Sequence, residues 1–186
     1  MHQIIESSPL FRTIYKVWDK LRDEDQVVPT RDRFNPMALG SDLENVVLVE
    51  RVDRGRYEYR VMGTAVSTRM SSNPVGTNIL DYFLPDAQEF LTDWFEAMTF
   101  QACGVVTELD MVYKNDPNRS VCIFGLPIRG KGGKGYYYLF GNQARKPKPG
   151  EQQLDGVVSA GEYFLECTGI DIGAGLPDLP NMPARP

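Results

Sequence analysis

The sequence predicts an α+β domain built on an antiparallel sheet of about five strands. Two runs rich in β-branched and aromatic residues, 46–52 and 57–61, are joined by Asp53-Arg54-Gly55, which is typical of a hairpin turn. Between them and the later strands, residues 86–102 repeat apolar side chains every three or four positions, as a core-facing helix does. The remaining strand-like runs are 105–113, 120–128 and 136–144. Two strands, then helices, then three strands is an α+β order along the chain.

An amphipathic helix is predicted ahead of the sheet, at residues 9–22. Ser8 is a suitable N-cap and Pro9 suits the first turn. Apolar side chains recur at helical spacing and form one stripe, which consists of Ile14, Val17, Trp18 and Leu21.

A compact crossover is predicted between the second strand and the long helix. Thr64 is expected to cap a short helix that presents Val66 and Met70 on one face and ends at Asn73-Pro74, because the residue before proline avoids the α region. A second short helical piece begins at Leu80. Such a segment lies across one face of the sheet and leaves a small apolar space beneath it.

The C-terminal part departs from this pattern. Residues 146–150 (KPKPG) are typical of a linker, and the apolar positions within 154–165 have helical spacing. The many glycines and prolines in 169–186 predict disorder. The predicted organisation is therefore a flanking N-terminal helix in 1–28, a domain in 29–145, and a linker, short helix and disordered tail in 146–186.

Composition narrows the class of protein. The 186 residues suffice for one domain, and the net charge of −5 does not favour nucleic acid, whose phosphates attract a basic surface. No apolar run reaches the ~20 residues of a membrane span, and the N-terminus lacks the pattern of a secretory signal. Cys103, Cys122 and Cys167 are odd in number and widely spaced, which indicates reduced thiols and a cytoplasmic protein.

Few residues suit catalysis or cofactor binding. The only histidine is His2, so the sequence does not support a serine or cysteine triad, a histidine-rich metal site or haem bound by a core histidine. None of the cysteines lies in the Asn-Cys-Arg type of context that a flavin adduct needs. We therefore predict no catalytic residue and no metal, and we leave any cofactor unidentified.

The glycine-rich segment GKGGKG (130–135) satisfies the G-x-G-x-x-G pattern. A dinucleotide site needs that loop to begin a helix whose N-terminal amides hold the pyrophosphate. Here the strand-like YYYLF follows, so we predict a plain hairpin loop.

Four sequence blocks resemble a bacterial branch of the PAS superfamily of sensor domains. They are VWDKLR (17–22), PTRDRFNPMAL (29–39), YEYRVMGT (57–64) and NPVGTNILDYF (73–83). The resemblance covers residues 12 to 145. It implies a five-stranded PAS-like sheet with short helices across one face, and a sensory or protein-interaction module. This chain has no kinase, cyclase or DNA-binding output within its length, so it is expected to act on separate signalling proteins or to signal as a homodimer.

A ligand pocket is expected under the crossover. Its candidate residues are Tyr57, Tyr59, Arg60, Val66, Met70, Phe83, Phe90 and Trp94. Arg60 would bind a carboxylate or phosphate through its donors, or form a structural salt bridge to a helix carboxylate. The alternative to a pocket is a packed core with no cavity.

The resemblance also implies a dimer interface on the N-terminal helix, at Leu10, Ile14, Val17 and Trp18. The alternative is that this stripe packs on the sheet of its own domain. Two other functions remain open: a small α+β enzyme of the cone-shaped or hotdog type that uses the same apolar pocket, and a ligand-free dimerising scaffold with a solid core. The leading hypothesis is a cytoplasmic regulator that binds partner proteins and responds to a small ligand.

Overall fold

The structure, a computed structural model, describes residues 3–114, 119–144 and 157–178. Its α-helices are α1 (Gln3–Ser7), α2 (Pro9–Asp19), α3 (Thr64–Met70) and α4 (Pro85–Phe100). Its strands are β1 (Val46–Asp53), β2 (Arg56–Met62), β3 (Cys103–Tyr113), β4 (Arg119–Arg129), β5 (Tyr136–Ala144) and β6 (Val157–Asp171). Short 3₁₀ helices occur at Arg31–Arg33, Pro36–Asn45, Ile79–Tyr82 and Lys131–Gly133. The predicted α+β class is confirmed.

All six strands form one antiparallel sheet in the order β2-β1-β5-β4-β3-β6. The prediction of five strands missed β6, which pairs with β3 along most of its length. The predicted short helix is therefore wrong over residues 157–165. Residues 157–171 are rich in β-branched and aromatic types, and the open edge of β3 provides hydrogen-bonding partners that outweigh the helical spacing.

The expected disorder from residue 169 onwards is also wrong as far as residue 178. Ile170 and Ile172 are 2% and 4% exposed, and Arg22 Nη1 donates a hydrogen bond to the Ile172 carbonyl oxygen at 3.0 Å. The predicted linker at 146–150 and the residues beyond 178 lie outside the described part of the chain. The partition of the chain after residues 28 and 145 stays a prediction.

The sheet carries an apolar core on each face, which gives the molecule three layers. Val46 and Leu48 of β1 contribute to the core under α2, whereas Val47 and Val49 contribute to the core under α3 and α4. Successive side chains of a strand point to opposite faces, so a continuous run of apolar residues is what a sheet buried on both sides requires.

The N-terminal helix α2 packs on the sheet of its own domain. Ser8 caps it as predicted, because its side chain accepts a hydrogen bond from Phe11 N. Trp18 Nε1 donates to the Pro127 carbonyl oxygen at 2.6 Å, and Trp18 and Ile14 are fully buried.

Leu10, Ile14 and Trp18 belong to the core of their own chain, which favours the alternative that this stripe packs on the sheet of its own domain. Val17 is half-buried beside them. The dimer interface on this helix stays a prediction.

None of the helices in the described residues has the length and apolar character that crossing a membrane requires.

The crossover after β2 is held by hydrogen bonds to that strand. Asn78 Oδ1 accepts from Tyr57 N at 2.9 Å, and Asn78 Nδ2 donates to the Gly55 carbonyl oxygen at 3.1 Å. The N-cap of α3 is Gly63 rather than Thr64, which is the first helical residue. Within the described residues, the 3₁₀ helix Ile79–Tyr82 contacts both β2 and β6, the two outer strands of the sheet. The crossover therefore closes one end of the space between the sheet and α4.

A candidate ligand-binding cavity

An apolar cavity of about 90 Å³ lies between the sheet and the helical layer of α3, α4 and the 3₁₀ helix Ile79–Tyr82. One wall is the inner face of β3, formed by Val105, Thr107, Leu109, Met111 and Tyr113. These five residues alternate along the strand, so their side chains lie on one face of the sheet. The sequence left open the alternative of a packed core with no cavity, whereas the structure contains a cavity.

The cavity is smaller than the engineered 150 Å³ cavity that accommodates benzene. Met70, Met98 and Met111 line it from α3, α4 and β3. Methionine has three rotatable bonds and a polarizable sulfur, so a wall of this kind adapts its shape to an occupant at low cost.

The structure places five of the eight predicted pocket residues on the cavity wall. These five are Tyr59, Val66, Met70, Phe83 and Trp94. Tyr57, Arg60 and Phe90 lie outside the lining. Ligand binding by any of the eight stays a prediction.

Tyr57 has a structural role instead. Its ring stacks on Phe95 with centroids 4.1 Å apart, and its hydroxyl donates to Glu96 Oε1 at 2.7 Å. Glu96 also accepts two hydrogen bonds from Arg51, at 2.9 Å each. Burial strongly raises the pKa of Tyr57, and the hydrogen bond to Glu96 raises it further.

Arg60 forms ion pairs with Glu50 and Glu58, as the structural alternative anticipated. The predicted partner was a carboxylate on a helix, but Glu50 and Glu58 both lie in strands. Arg60 lies on the face of β2 that turns away from α4, so it does not reach a carboxylate of that helix. Phe90 is 5% exposed, and its ring meets that of Trp94 edge-on at 6.4 Å. It supports the cavity wall from behind.

One buried polar atom of a cavity-lining residue lacks a hydrogen-bond partner within the described residues. Trp94 is 8% exposed, and its Nε1 has no hydrogen-bond acceptor. Tyr59 is 7% exposed, and no hydrogen bond of its hydroxyl is found within the described residues. Burial raises the pKa of Tyr59 well above its ordinary value, so the phenol stays protonated.

Sequence analysis missed one cation at this site, Arg69. It follows Val66 by three positions on α3 and precedes Met70, so helical spacing alone could have placed it on the cavity-facing side. Its guanidinium lines the cavity and hydrogen-bonds to Tyr113 on the opposite wall. Burial lowers the pKa of Arg69 from its ordinary value, although the interaction with Tyr113 opposes this.

Cys103 is buried, and Cys122 and Cys167 are half-buried. Cys167 lines the cavity from β6, Cys103 begins β3, and Cys122 lies in β4. Burial raises the pKa of Cys103 and of Cys122 to about 11 and that of Cys167 to about 12. All three are free thiols.

The glycine-lysine segment 130–135 is the β4–β5 hairpin loop, as predicted. It contains one 3₁₀ turn, Lys131–Gly133, and Gly132 N donates to both carboxylate oxygens of Asp32. β5 follows directly, so this loop does not form the helix N-terminus of a dinucleotide site.

Comparison with known proteins finds a family model described as PAS domain, which matches residues 6–141. None of the curated proteins matches the chain. Among solved structures, a light-oxygen-voltage domain studied with a flavin analogue is 14% identical, with a TM-score of 0.43, over 59% of this chain and 82% of that one.

Two further structures are similar at the same level. The LOV protein of Rhodobacter sphaeroides is 16% identical, with a TM-score of 0.38, over 77% of this chain and 68% of that one. The PAS domain of a protein from Colwellia psychrerythraea is 15% identical, with a TM-score of 0.40, over 54% of this chain and 84% of that one.

Proposed function

This chain belongs to the PAS domain family, whose members are sensory modules, and from that premise we propose that its cavity binds a small apolar molecule and that occupancy alters its contact with a partner protein. The observation that supports this most directly is the apolar cavity with an unpartnered, buried Trp94 Nε1. A buried donor without an acceptor costs about 1–3 kcal/mol, which an occupant with an acceptor atom would recover. A ligand-free scaffold has no use for such a cavity.

Trp94 also provides a route from the cavity to the surface. The outer edge of its indole ring lies against Gly169 of β6, where a Cβ atom would stand 3.5 Å from Trp94 Cη2 and 3.0 Å from Leu176 Cδ2. Leu176 is 57% exposed. A shift of the Trp94 indole on ligand binding would therefore be transmitted through Gly169 to the exposed side chain of Leu176.

The cavity wall is tied to the same C-terminal segment by a second contact. Thr107 of β3 lines the cavity, and its hydroxyl donates to the Glu166 carbonyl oxygen of β6 at 2.9 Å. We infer that β6 and the residues after it carry the response to ligand.

The proposed partner surface lies next to Leu176, at the end of α4. Phe100 is 64% exposed there and contacts the ring of Tyr136, with centroids 5.9 Å apart. Arg129 lies over Tyr136 at 4.3 Å and has no carboxylate partner within the described residues. Aromatic and arginine side chains dominate the energetics of protein interfaces, so this surface suits a partner that presents an apolar side chain beside a carboxylate. We propose that the partner is a cytoplasmic signalling protein, since the three free thiols suit a reducing compartment.

Methyl NMR with labelled methionine tests whether the cavity binds apolar molecules. Met70, Met98 and Met111 line the cavity, whereas Met37 is 75% exposed and serves as an internal control. Xenon and 1-pentanol are the probes, and mass spectrometry of the purified protein searches for a natural occupant. We expect saturable shifts of the three cavity methyl groups with no shift of Met37.

Two neighbouring valines provide matched variants. Val105 faces the cavity and Val106 faces the opposite core, and both are about equally buried. Val105→Leu should weaken pentanol binding about tenfold, and Val106→Leu should leave it unchanged. Cavity methyl groups that stay unmoved by either probe, in a protein that carries no co-purified molecule, would overturn the proposed function.

A further inference from the structure

The polar groups of the cavity are predominantly hydrogen-bond donors. Arg69 and Trp94 can only donate, and the Tyr59 hydroxyl is a protonated phenol for which no hydrogen bond is found within the described residues. None of the residues that line the cavity within the described part of the chain is an aspartate or a glutamate. A wall that offers donors and one cation complements an occupant that brings acceptors and a negative charge.

Six arginines of the fold differ from Arg69 in their partners. Arg22, Arg33, Arg51, Arg54, Arg56 and Arg60 each form an ion pair with a carboxylate. Within the described residues no such pair is found for Arg69, which hydrogen-bonds to the neutral Tyr113 and interacts with the Glu44 carboxylate only at longer range. Holding a half-buried guanidinium without an ion-pair partner is costly, so this arrangement favours a site whose counter-ion arrives with the ligand.

The unpartnered Trp94 Nε1 is an independent observation in the same cavity. Its side chain is more than nine-tenths buried, and the atom has no acceptor. Trp94 Nε1 on α4 thus lacks an acceptor, and Arg69 on α3 has a neutral hydrogen-bond partner but no ion-pair partner within the described residues.

We propose that the cavity binds a small monocarboxylic acid with a short apolar tail, whose carboxylate pairs with Arg69 and whose tail packs against the methionines. This inference rests on the proposed function and names the chemical class of its ligand. The volume limits the acid to on the order of six non-hydrogen atoms, since it is smaller than a cavity that holds benzene. Arg69 is well suited to the task, because its planar fork matches the two oxygens of a carboxylate.

The test compares an acid with a neutral molecule of the same shape. Isovalerate and isovaleramide are titrated at pH 7 into the full chain, and binding is followed by the methyl groups of Met70, Met98 and Met111. We expect isovalerate to bind at least tenfold more tightly than isovaleramide. Arg69→Met should remove this preference while isovaleramide still binds, and Arg69→Lys, which retains the charge, should keep part of it.

Arg60→Met is the matched control, because Arg60 lies outside the cavity and pairs with Glu50 and Glu58. It should leave the preference for the acid intact. Equal affinity of the wild type for acid and amide overturns this inference and leaves the proposed function standing. Failure of xenon, pentanol, acid and amide alike overturns both.

A second variant tests Trp94 without relying on ligand affinity alone. Trp94→Phe removes the unpartnered donor and keeps an aromatic ring, so the ligand-free protein should melt at a higher temperature than the wild type. The added thermal stabilisation by saturating isovalerate should be smaller in this variant. A lower melting temperature together with an undiminished response to isovalerate would show that the Trp94 donor has no part in the site.

Discussion

The Tyr57 hydroxyl donates a 2.7 Å hydrogen bond to Glu96 Oε1 and so joins β2 to α4. Arg51 of β1 binds the same carboxylate with two further hydrogen bonds, and both side chains of this ion pair are less than one-fifth exposed. The first hairpin of the sheet is thus attached to the long helix by one largely buried carboxylate, on the side of α4 away from the cavity.

Replacing this carboxylate should change how stability depends on pH. Burial of Glu96 raises its pKa, but the hydrogen bonds from Arg51 and Tyr57 outweigh burial, and the net pKa is below the ordinary value. A carboxylate of this kind stabilises the fold above its unfolded pKa, about 4.3, and the contribution is lost as the pH falls below that value. We expect Glu96→Gln to lower the free energy of unfolding by about 2 kcal/mol at pH 7 and to flatten its decline between pH 5 and 3.

Urea unfolding at a series of pH values measures this effect. Asp93→Asn is the control, because the Arg54–Asp93 pair joins the same hairpin and helix but is more exposed. It should change stability much less than Glu96→Gln does. Parallel pH profiles of the wild type and Glu96→Gln would contradict the assignment.

Two glycines on either side of the sheet should respond differently to substitution by alanine. A Cβ atom at Gly63 would overlap the backbone carbonyls of Leu43 and Glu44, whereas one at Gly141 would overlap only the end of the Ile14 side chain. Because a side-chain end can move and a backbone carbonyl cannot, Gly141→Ala should cost about 1–3 kcal/mol and Gly63→Ala more. Chemical denaturation of the two variants gives the order directly, and the reverse order would show that the contact at Gly63 can relax.

The N-terminal helix should contribute to folding rather than to assembly. Ile14 is fully buried in the core of its own chain, so Ile14→Ala should lower the free energy of unfolding by about 2–5 kcal/mol. Val17→Ala, at a half-buried position of the same helix, should cost less. Sedimentation at several concentrations accompanies the unfolding curves. An unchanged stability combined with a shifted association equilibrium would support the dimer interface instead.

The cysteines should be slow to react while the protein is folded. Thiolate is the reactive form, and burial raises the pKa of Cys103 and Cys122 to about 11 and of Cys167 to about 12. We expect little reaction with Ellman's reagent at pH 8 in native buffer, and three thiols per chain in denaturant. Rapid modification of a single cysteine in the folded protein would identify a thiol that opens to solvent, and mass spectrometry of the modified peptide would locate it.

Local sequence patterns were sufficient to predict the structure where a residue's neighbours in sequence determine its environment. Helical spacing placed Val66 and Met70 on one face of a short helix, and both residues line the cavity. Ser8 was identified as a cap because capping needs only the first turn of the helix that follows.

Sequence patterns gave wrong predictions where a segment distant in sequence determines the local structure. The apolar positions of 154–165 fit a helix, yet residues 157–165 belong to β6 because they pair with the edge of β3. Arg60 shows the same limit at the site. It was prominent because it lies in a strand of conspicuous tyrosines, yet Glu50, ten residues away in sequence, pairs with it. Arg69 is a different case, because its helical spacing from Val66 could have placed it beside the cavity.

The position of β5 in the middle of the sheet affects how this chain can fold during its synthesis. β1 pairs with β2 on one side and with β5 on the other. Val46 of β1 therefore cannot pair with Gly141 of β5 until that residue has been synthesised. At about 5–20 residues per second, on the order of ten seconds separate the two on the ribosome. During that time the hairpins β1–β2 and β3–β4 expose their apolar faces. Contacts so distant in sequence also slow folding itself, and we therefore expect the nascent chain to depend on chaperones that cover exposed strands until β5 emerges.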